Sequence, residues 1–199
     1  VDQLSRLDVG DVYFQTDRIL CNIKDPELDF DSDSFNWIKD YVTASERALY
    51  SENFLDEEKG YKNYIDINSF VDWYLINEIA KNNDAVFFSS CYMNIKRGGK
   101  LKMGPIWDFD IAFGNCNYND NWKEEGFYIK SASWISRMFE DPEFVKLVKL
   151  RYEFFYSMRD EILQKISENA CMLKYSAVEN DNIWHTLYTG TWPNYSIMG

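Results

Sequence analysis

The sequence predicts an α+β chain, mostly helical, with two small β-hairpins, and three observations carry that prediction. Several stretches repeat apolar residues at three- and four-residue steps, the spacing of one buried helix face. Two pairs of short β-favouring runs are each separated by a few polar or glycine residues, as in hairpins. Finally, 199 residues with 46% hydrophobic and 27% charged side chains are enough for a globular unit with a real core. Residues 1–63 read as a hairpin with a connecting helix and residues 64–199 as a larger helical lobe, together one structural unit.

In chain order, residues 1–10 are polar and read as frayed or linker-like. Val12 to Phe14 and Ile19 to Cys21 form the first hairpin, closed off by Asp25-Pro26, because proline removes a ladder donor and keeps the residue before it extended. A helix starts near Ser34, capped by Asp31, Ser32 or Asp33, and buries Ile38, Tyr41, Val42, Ser45 and Leu49. Residues 51–63 are charged and read as a solvated loop. The next helix, capped by Asp66 or Asn68, presents Ile67, Phe70, Val71, Tyr74, Leu75 and Ile79 on one face. Glu78 lies on that face, so its carboxylate needs a partner, either backbone or a basic side chain near Asp84.

A second hairpin joins Cys91–Lys96 to Lys100–Ile106 through Arg97-Gly98-Gly99, whose glycines tolerate the positive φ of a tight reversal. Asn115 to Glu125 is a loop; it lacks the spacing of a calcium-binding EF-hand. Ser131 to Phe139 is helical. Asp141 then caps a helix with Pro142 at its first position, where the missing amide costs nothing. Phe144, Leu147, Val148, Arg151, Phe154, Phe155 and Met158 continue it, and Ile162, Leu163 and Ile166 extend the helical pattern. His185, the single histidine, reads as a packing residue.

Composition removes some functions. A net charge of −12 without a basic stripe excludes nucleic acid as a partner and suits a basic one. Cys21, Cys91, Cys116 and Cys171 have no C-x-x-C spacing, which excludes the common zinc patterns; disulfides, with Cys91 and Cys116 the nearest pair, have no support in the spacing, and each reads as a small buried hydrophobe. No apolar run is long enough for a membrane span. The aromatic share of 18% points to a packed interior or a stacking surface.

The chemistry concentrates in residues 81–114. Asp84 follows a helix, and Asp108 and Asp110 follow the second hairpin, so closing the hairpin brings Asp84 and Asp108 to one cleft. One or two carboxylates completed by water and phosphate are what Mg²⁺ takes, and a carboxylate also orients a hydroxyl proton. An Asp after a helix, a polar residue five positions on (here Ser89), a hairpin and then Asp-Phe is the order of parts in the catalytic half of protein kinases.

Tyr64-Ile65-Asp66 with Asn77-Glu78, Lys81-Asn82-Asn83-Asp84, and Gly104-Pro105-Ile106-Trp107-Asp108-Phe109-Asp110-Ile111-Ala112-Phe113-Gly114 resemble the CotH (spore-coat protein H) family of atypical protein kinases. The likeness runs on through Trp134 to Arg137 and Asp141 to Phe144. It implies a kinase-like lower lobe preceded by a remnant of the upper one, and ATP- and Mg²⁺-dependent phosphorylation of a basic or Ser-rich protein at the cell surface or spore coat. In those terms Asp84 orients the acceptor, Asp108, Asp110 and Ser89 serve the metal, and Glu78, Phe109 and Trp107 support the site. Ser89 stands where a kinase usually has a metal-binding Asn, and no Gly-rich phosphate loop precedes the cleft. From this we expect a fragment of a longer protein, inactive by itself; if the chain instead turns over ATP as fast as a longer form, the phosphate-binding residues lie within residues 1–63, with Lys24 and Arg18 the first to test.

Two other functions fit parts of the sequence. A non-catalytic surface module would use loop aromatics such as Tyr118, Trp122 and Tyr128 for stacking on proteins or glycans. Glycoside hydrolysis asks for two facing carboxylates, and Asp84 with Asp108 is the only support for it.

Overall fold

The computed structural model describes residues 1, 3–116, 119–185 and 189. The fold is α+β and mostly helical, with two separate two-stranded antiparallel sheets. Strands β1 (Val12–Gln15) and β2 (Leu20–Ile23) pair from Val12 with Ile23 to Gln15 with Leu20. Their turn is set by Thr16, whose hydroxyl oxygen accepts the Ile19 amide at 3.0 Å. The residues before β1 are not simply frayed, since Leu4–Arg6 forms a 3₁₀ turn.

Helix α1 (Asp33–Tyr50) begins at Ser32, whose side chain accepts the Phe35 amide and so satisfies one of the unpaired first-turn donors. Val42, Ser45 and Leu49 of the expected stripe are buried, while Ile38 and Tyr41 are only partly so. Glu46 also faces inward, at 2% exposure. A buried carboxylate is stable only when hydrogen-bonded. Glu46 Oε2 accepts from the Thr16 hydroxyl at 2.9 Å and the Trp134 indole at 2.8 Å, tying the first hairpin to the helical lobe.

The stretch 51–63 is not the solvated loop its charge suggests. Phe54 and Tyr61 are buried with rings stacked 6.2 Å apart, and Tyr61 donates to Asp141 at 2.7 Å. Gly60 permits this. A Cβ there would sit 2.4 Å from the carbonyl oxygens of both Phe54 and Asp56.

Helix α2 (Ile67–Ala80), capped by Asp66 through the Ser69 amide at 3.2 Å, is the centre of the fold. It buries Phe70, Val71, Trp73, Tyr74 and Leu75 around more than one face, so the single apolar stripe expected from sequence understates it. Ile79, expected inside, is 37% exposed. Phe70 stacks on Trp134, ring centroids 6.3 Å apart and 11° from parallel. Each large side chain buried here contributes about 1.5–3 kcal/mol.

The second hairpin is shorter than expected: β3 (Met93–Asn94) pairs with β4 (Lys102–Met103) alone. The Leu101 amide donates to Tyr64 O at 2.8 Å and Leu101 O accepts the Asp66 amide at 2.9 Å, docking the hairpin on the start of α2. Helices α3 (Ser133–Met138) and α4 (Pro142–Ser157) come next. Asp141 caps α4 through the Glu143 amide at 2.9 Å. Helix α5 (Arg159–Trp184) buries no side chain. One apolar cluster runs from Phe14 to Phe144. Two expectations fail at the far end: Cys171 is exposed rather than buried, and His185 is exposed at the left-handed end of α5 instead of packing. No helix among the described residues is long and apolar enough to cross a membrane.

Candidate active site

Helix α2 ends at Lys81, which turns left-handed at φ 45° and releases the chain into Asn82 and a 3₁₀ turn, Asn83–Ala85. Asn82 organises the approach to the cleft. Its side-chain oxygen accepts the Asp84 amide at 3.3 Å, and its amide group donates to Asn77 Oδ1 at 3.2 Å and to the backbone carbonyl of Asp108 at 3.1 Å. One carboxamide therefore joins the two acidic segments.

Adjacent serines complete the join. The Ser89 hydroxyl donates to Asp84 Oδ2 at 2.9 Å, and the Ser90 hydroxyl donates to Asp108 Oδ2 at 2.8 Å. Each aspartate keeps its other carboxylate oxygen for a ligand. Asp84 is half-buried, whereas Asp108 and Asp110 are exposed. Phe87, Ser90, Asp108 and Phe113 all carry φ between 52° and 66°. Left-handed non-glycine backbone is costly and collects at functional sites.

Ser90 and Trp107 of these segments line a cleft of about 870 Å³ between the first hairpin, α1 and the second hairpin, together with Arg6, Lys24, Trp37 and Tyr92; Asp84, Ser89, Asp108 and Asp110 are not among its lining residues. That volume is in the range of sites that enclose a small organic ligand, roughly 300–1,000 Å³. Trp107 is 51% exposed on the cleft wall with its ring edge-on to Tyr92, and Phe109 is half-buried outside the main apolar cluster.

Glu78 braces the site from below. Its carboxylate accepts the backbone amides of Tyr128 at 2.7 Å and Lys130 at 2.9 Å, so its partner is backbone, from the segment that follows the 115–125 loop rather than the Asp84 segment. Burial first, and then the Glu78 charge, push the Tyr74 phenol upward from its ordinary range. Asn83 holds the same loop: its Oδ1 accepts from Asn119 at 3.1 Å and Asn121 at 2.8 Å, and its carbonyl accepts the Tyr128 hydroxyl at 3.2 Å. Tyr128 is thus engaged and only partly exposed, Trp122 is 55% exposed, and Tyr118 lies outside the described residues.

Of the cations singled out from sequence, Arg18 stacks over the Tyr50 ring at 3.7 Å and does not line the cleft. Lys24 lines the cleft but pairs with Asp11 at 3.1 Å. Sequence reasoning missed Asn82, Ser90 and Arg6, which donates to Ser89 at 2.9 Å. The doubled Asn82-Asn83 and Ser89-Ser90 flanking Asp84 and the hairpin were the available signal.

Among the described residues no three His, Cys, Asp or Glu side chains gather around one point. An exposed Asp108 with a free oxygen, beside Asp110, matches the donor set of a cation that takes one or two carboxylates and fills its remaining positions with water and phosphate. A family model described as CotH kinase protein matches residues 23–193, most of the chain. No curated protein and no solved structure matches it.

Proposed function

The chain belongs to the CotH kinase family, and on that premise we propose that this cleft serves ATP- and Mg²⁺-dependent phosphoryl transfer to a Ser or Thr hydroxyl of a protein. The observation that carries the proposal is the tethering of Asp84 and Asp108 by the adjacent hydroxyls of Ser89 and Ser90, the second of which lines the cleft. Phosphoryl transfer asks a protein mainly for positioning and charge stabilisation.

In this reading Asp84 uses its uncommitted oxygen to accept a hydrogen bond from the acceptor hydroxyl and orient it. Ser89 fixes that carboxylate's rotamer. Asp108 and Asp110 hold Mg²⁺, which when bound would neutralise phosphate charge. Ser90 and Asn82 fix Asp108, and Glu78 with Asn83 keeps the 119–130 segment against the site. The net charge of −12 favours a basic substrate. The family likeness alone supports a cell-surface or spore-coat location.

Because this chain is expected to be inactive by itself, the test is transfer of radiolabelled γ-phosphate from Mg-ATP to a Lys- and Ser-rich protein, measured for this chain and for a form extended upstream of Val1, with the variants compared in whichever form shows a measurable rate. Asp84→Asn removes the hydroxyl-orienting carboxylate and is expected to slow transfer by about 10²–10⁴-fold. Equal rates for Asp84→Asn and wild type would refute the assignment. A second reading, a non-catalytic surface module, is favoured by the exposure of Phe113, Trp122 and Phe127 near the site. It predicts glycan or protein binding without nucleotide and no transfer.

A further inference from the structure

Ser89 stands five residues after Asp84, where a two-metal kinase carries the Asn that binds its second Mg²⁺. Its own bonds suit it poorly to that task. The residue is 1% exposed. Its one hydroxyl proton goes to Asp84 Oδ2, and one of its two lone pairs accepts from Arg6 Nη1, both at 2.9 Å. A divalent cation on the remaining lone pair would crowd a guanidinium bound to the same oxygen.

We propose that Arg6 is a phosphate-binding residue of this cleft, held through Ser89 where a second Mg²⁺ would otherwise sit, so that the site operates with a single divalent cation on Asp108. The proposal rests on the phosphoryl-transfer reading and adds to it a residue outside the matched segment 23–193.

Arg6 lines the cleft and forms no direct ion pair among the described residues; it reaches the Asp84 carboxylate only through the Ser89 hydroxyl. It also lies over the Phe88 ring at 5.6 Å. The other cations nearby are engaged. Lys24 is paired with Asp11 at 3.1 Å, and Arg97 lies over the Trp37 ring at 4.5 Å. One N–H of Arg6 is spent on Ser89, leaving four in the planar fork that fits phosphate oxygens in pairs. The contact with Ser89, rather than with the Asp84 carboxylate itself, leaves that carboxylate's other oxygen for the acceptor hydroxyl.

The experiment compares wild type, Arg6→Ala, Arg6→Lys and Arg6→Ala/Ser89→Asn by calorimetric titration with Mg-ATP and with adenosine. Mn²⁺ electron paramagnetic resonance then counts the ions held with each bound ATP. Arg6→Ala is expected to weaken Mg-ATP by about 10- to 100-fold, the value of a charge-assisted contact, and to leave adenosine unchanged. Arg6→Lys restores part of the loss because it keeps the charge without the fork. Wild type holds one Mn²⁺ per ATP, and the double variant, given a neutral amide and no guanidinium, holds two. Arg6 is exposed on a turn that buries no side chain, so Arg6→Ala and Arg6→Lys melt with wild type; the double variant adds volume at the buried Ser89, and the single-variant affinities with the wild-type ion count decide the proposal without it. Unchanged Mg-ATP affinity in Arg6→Ala, or two Mn²⁺ per ATP in wild type, overturns the proposal and leaves the phosphoryl-transfer reading standing. A wild type that binds no Mg-ATP overturns both.

Discussion

Replacing Glu78 tests whether the site is braced from beneath in the way its contacts indicate. The carboxylate is buried and accepts two backbone amides, Tyr128 at 2.7 Å and Lys130 at 2.9 Å. Glu78→Ala leaves both donors without their acceptor, at about 1–3 kcal/mol each. We therefore expect a loss of roughly 3–5 kcal/mol, a large part of the total stability of an ordinary domain. For a chain of this size each kcal/mol shifts the melting point by about 2–4 °C, which gives a drop of roughly 6–20 °C. Glu78→Gln keeps one acceptor oxygen but turns an NH₂ towards the second amide, and should lose about half as much. Thermal melts followed by circular dichroism at pH 7 measure this. Because the braced segment continues into residues that contact Asn83, Glu78→Ala should also speed proteolytic cleavage within 119–128. A Glu78→Ala protein melting within 2 °C of wild type (about 1 kcal/mol or less) would refute the reasoning.

Gly60→Ala forces a Cβ to within 2.4 Å of two backbone carbonyls; differential scanning calorimetry should show a loss of at least about 2 kcal/mol, the scale of overpacking strain. Asp141 is subject first to burial, which raises its pKa, but hydrogen bonds from Lys62, Tyr61 and the Glu143 amide outweigh that and leave it below its ordinary 3.8. A depressed folded pKa means that its stabilisation is present above the ordinary value and is lost as pH falls through the folded one. Urea melts of wild type should therefore weaken progressively below pH 4, and Asp141→Asn should be less stable at neutral pH with a flatter acid limb. Burial pushes the Cys21 thiol up to about 11, while Cys171 is exposed; a thiol reagent at pH 8 followed by mass spectrometry should label Cys171 and spare Cys21.

Local signals in the sequence were legible because their physics is local. Ser32, Asp66 and Asp141 all sit where a cap is needed, and each side chain accepts a first-turn amide. The hairpin closing on Arg97-Gly98-Gly99 and the family-specific run around Asp108 were likewise readable. The hidden features depend on partners distant in sequence. Glu46 looks like an ordinary surface residue until Thr16 and Trp134 arrive from either side of it. Phe54 and Tyr61 read as loop because the charges around them dominate the pattern, and their burial rests on Gly60 allowing a close backbone approach. Helix α2 is enclosed on several faces, so a stripe drawn at one face missed Trp73 and wrongly included Ile79. At the site, Asp84 and Asp108 were singled out by type and order. Ser90 and Arg6 were missed because only tertiary contact sets their hydroxyl and guanidinium beside those carboxylates.

The central claim, that Asp108 holds the cation on which nucleotide binding depends, is tested most directly by the thermal stabilisation that ATP confers with Mg²⁺ and with EDTA, on wild type and Asp108→Asn. Asparagine tolerates the left-handed backbone at φ 66°, so the substitution removes charge without adding strain. A ligand at about 100 times its Kd stabilises by about 2.7 kcal/mol, a readable shift of the melting point. The account predicts that shift in wild type with Mg²⁺ only, and its loss in Asp108→Asn at an unchanged melting point without ligand. An equal ATP-induced shift in EDTA, or in Asp108→Asn, would contradict it.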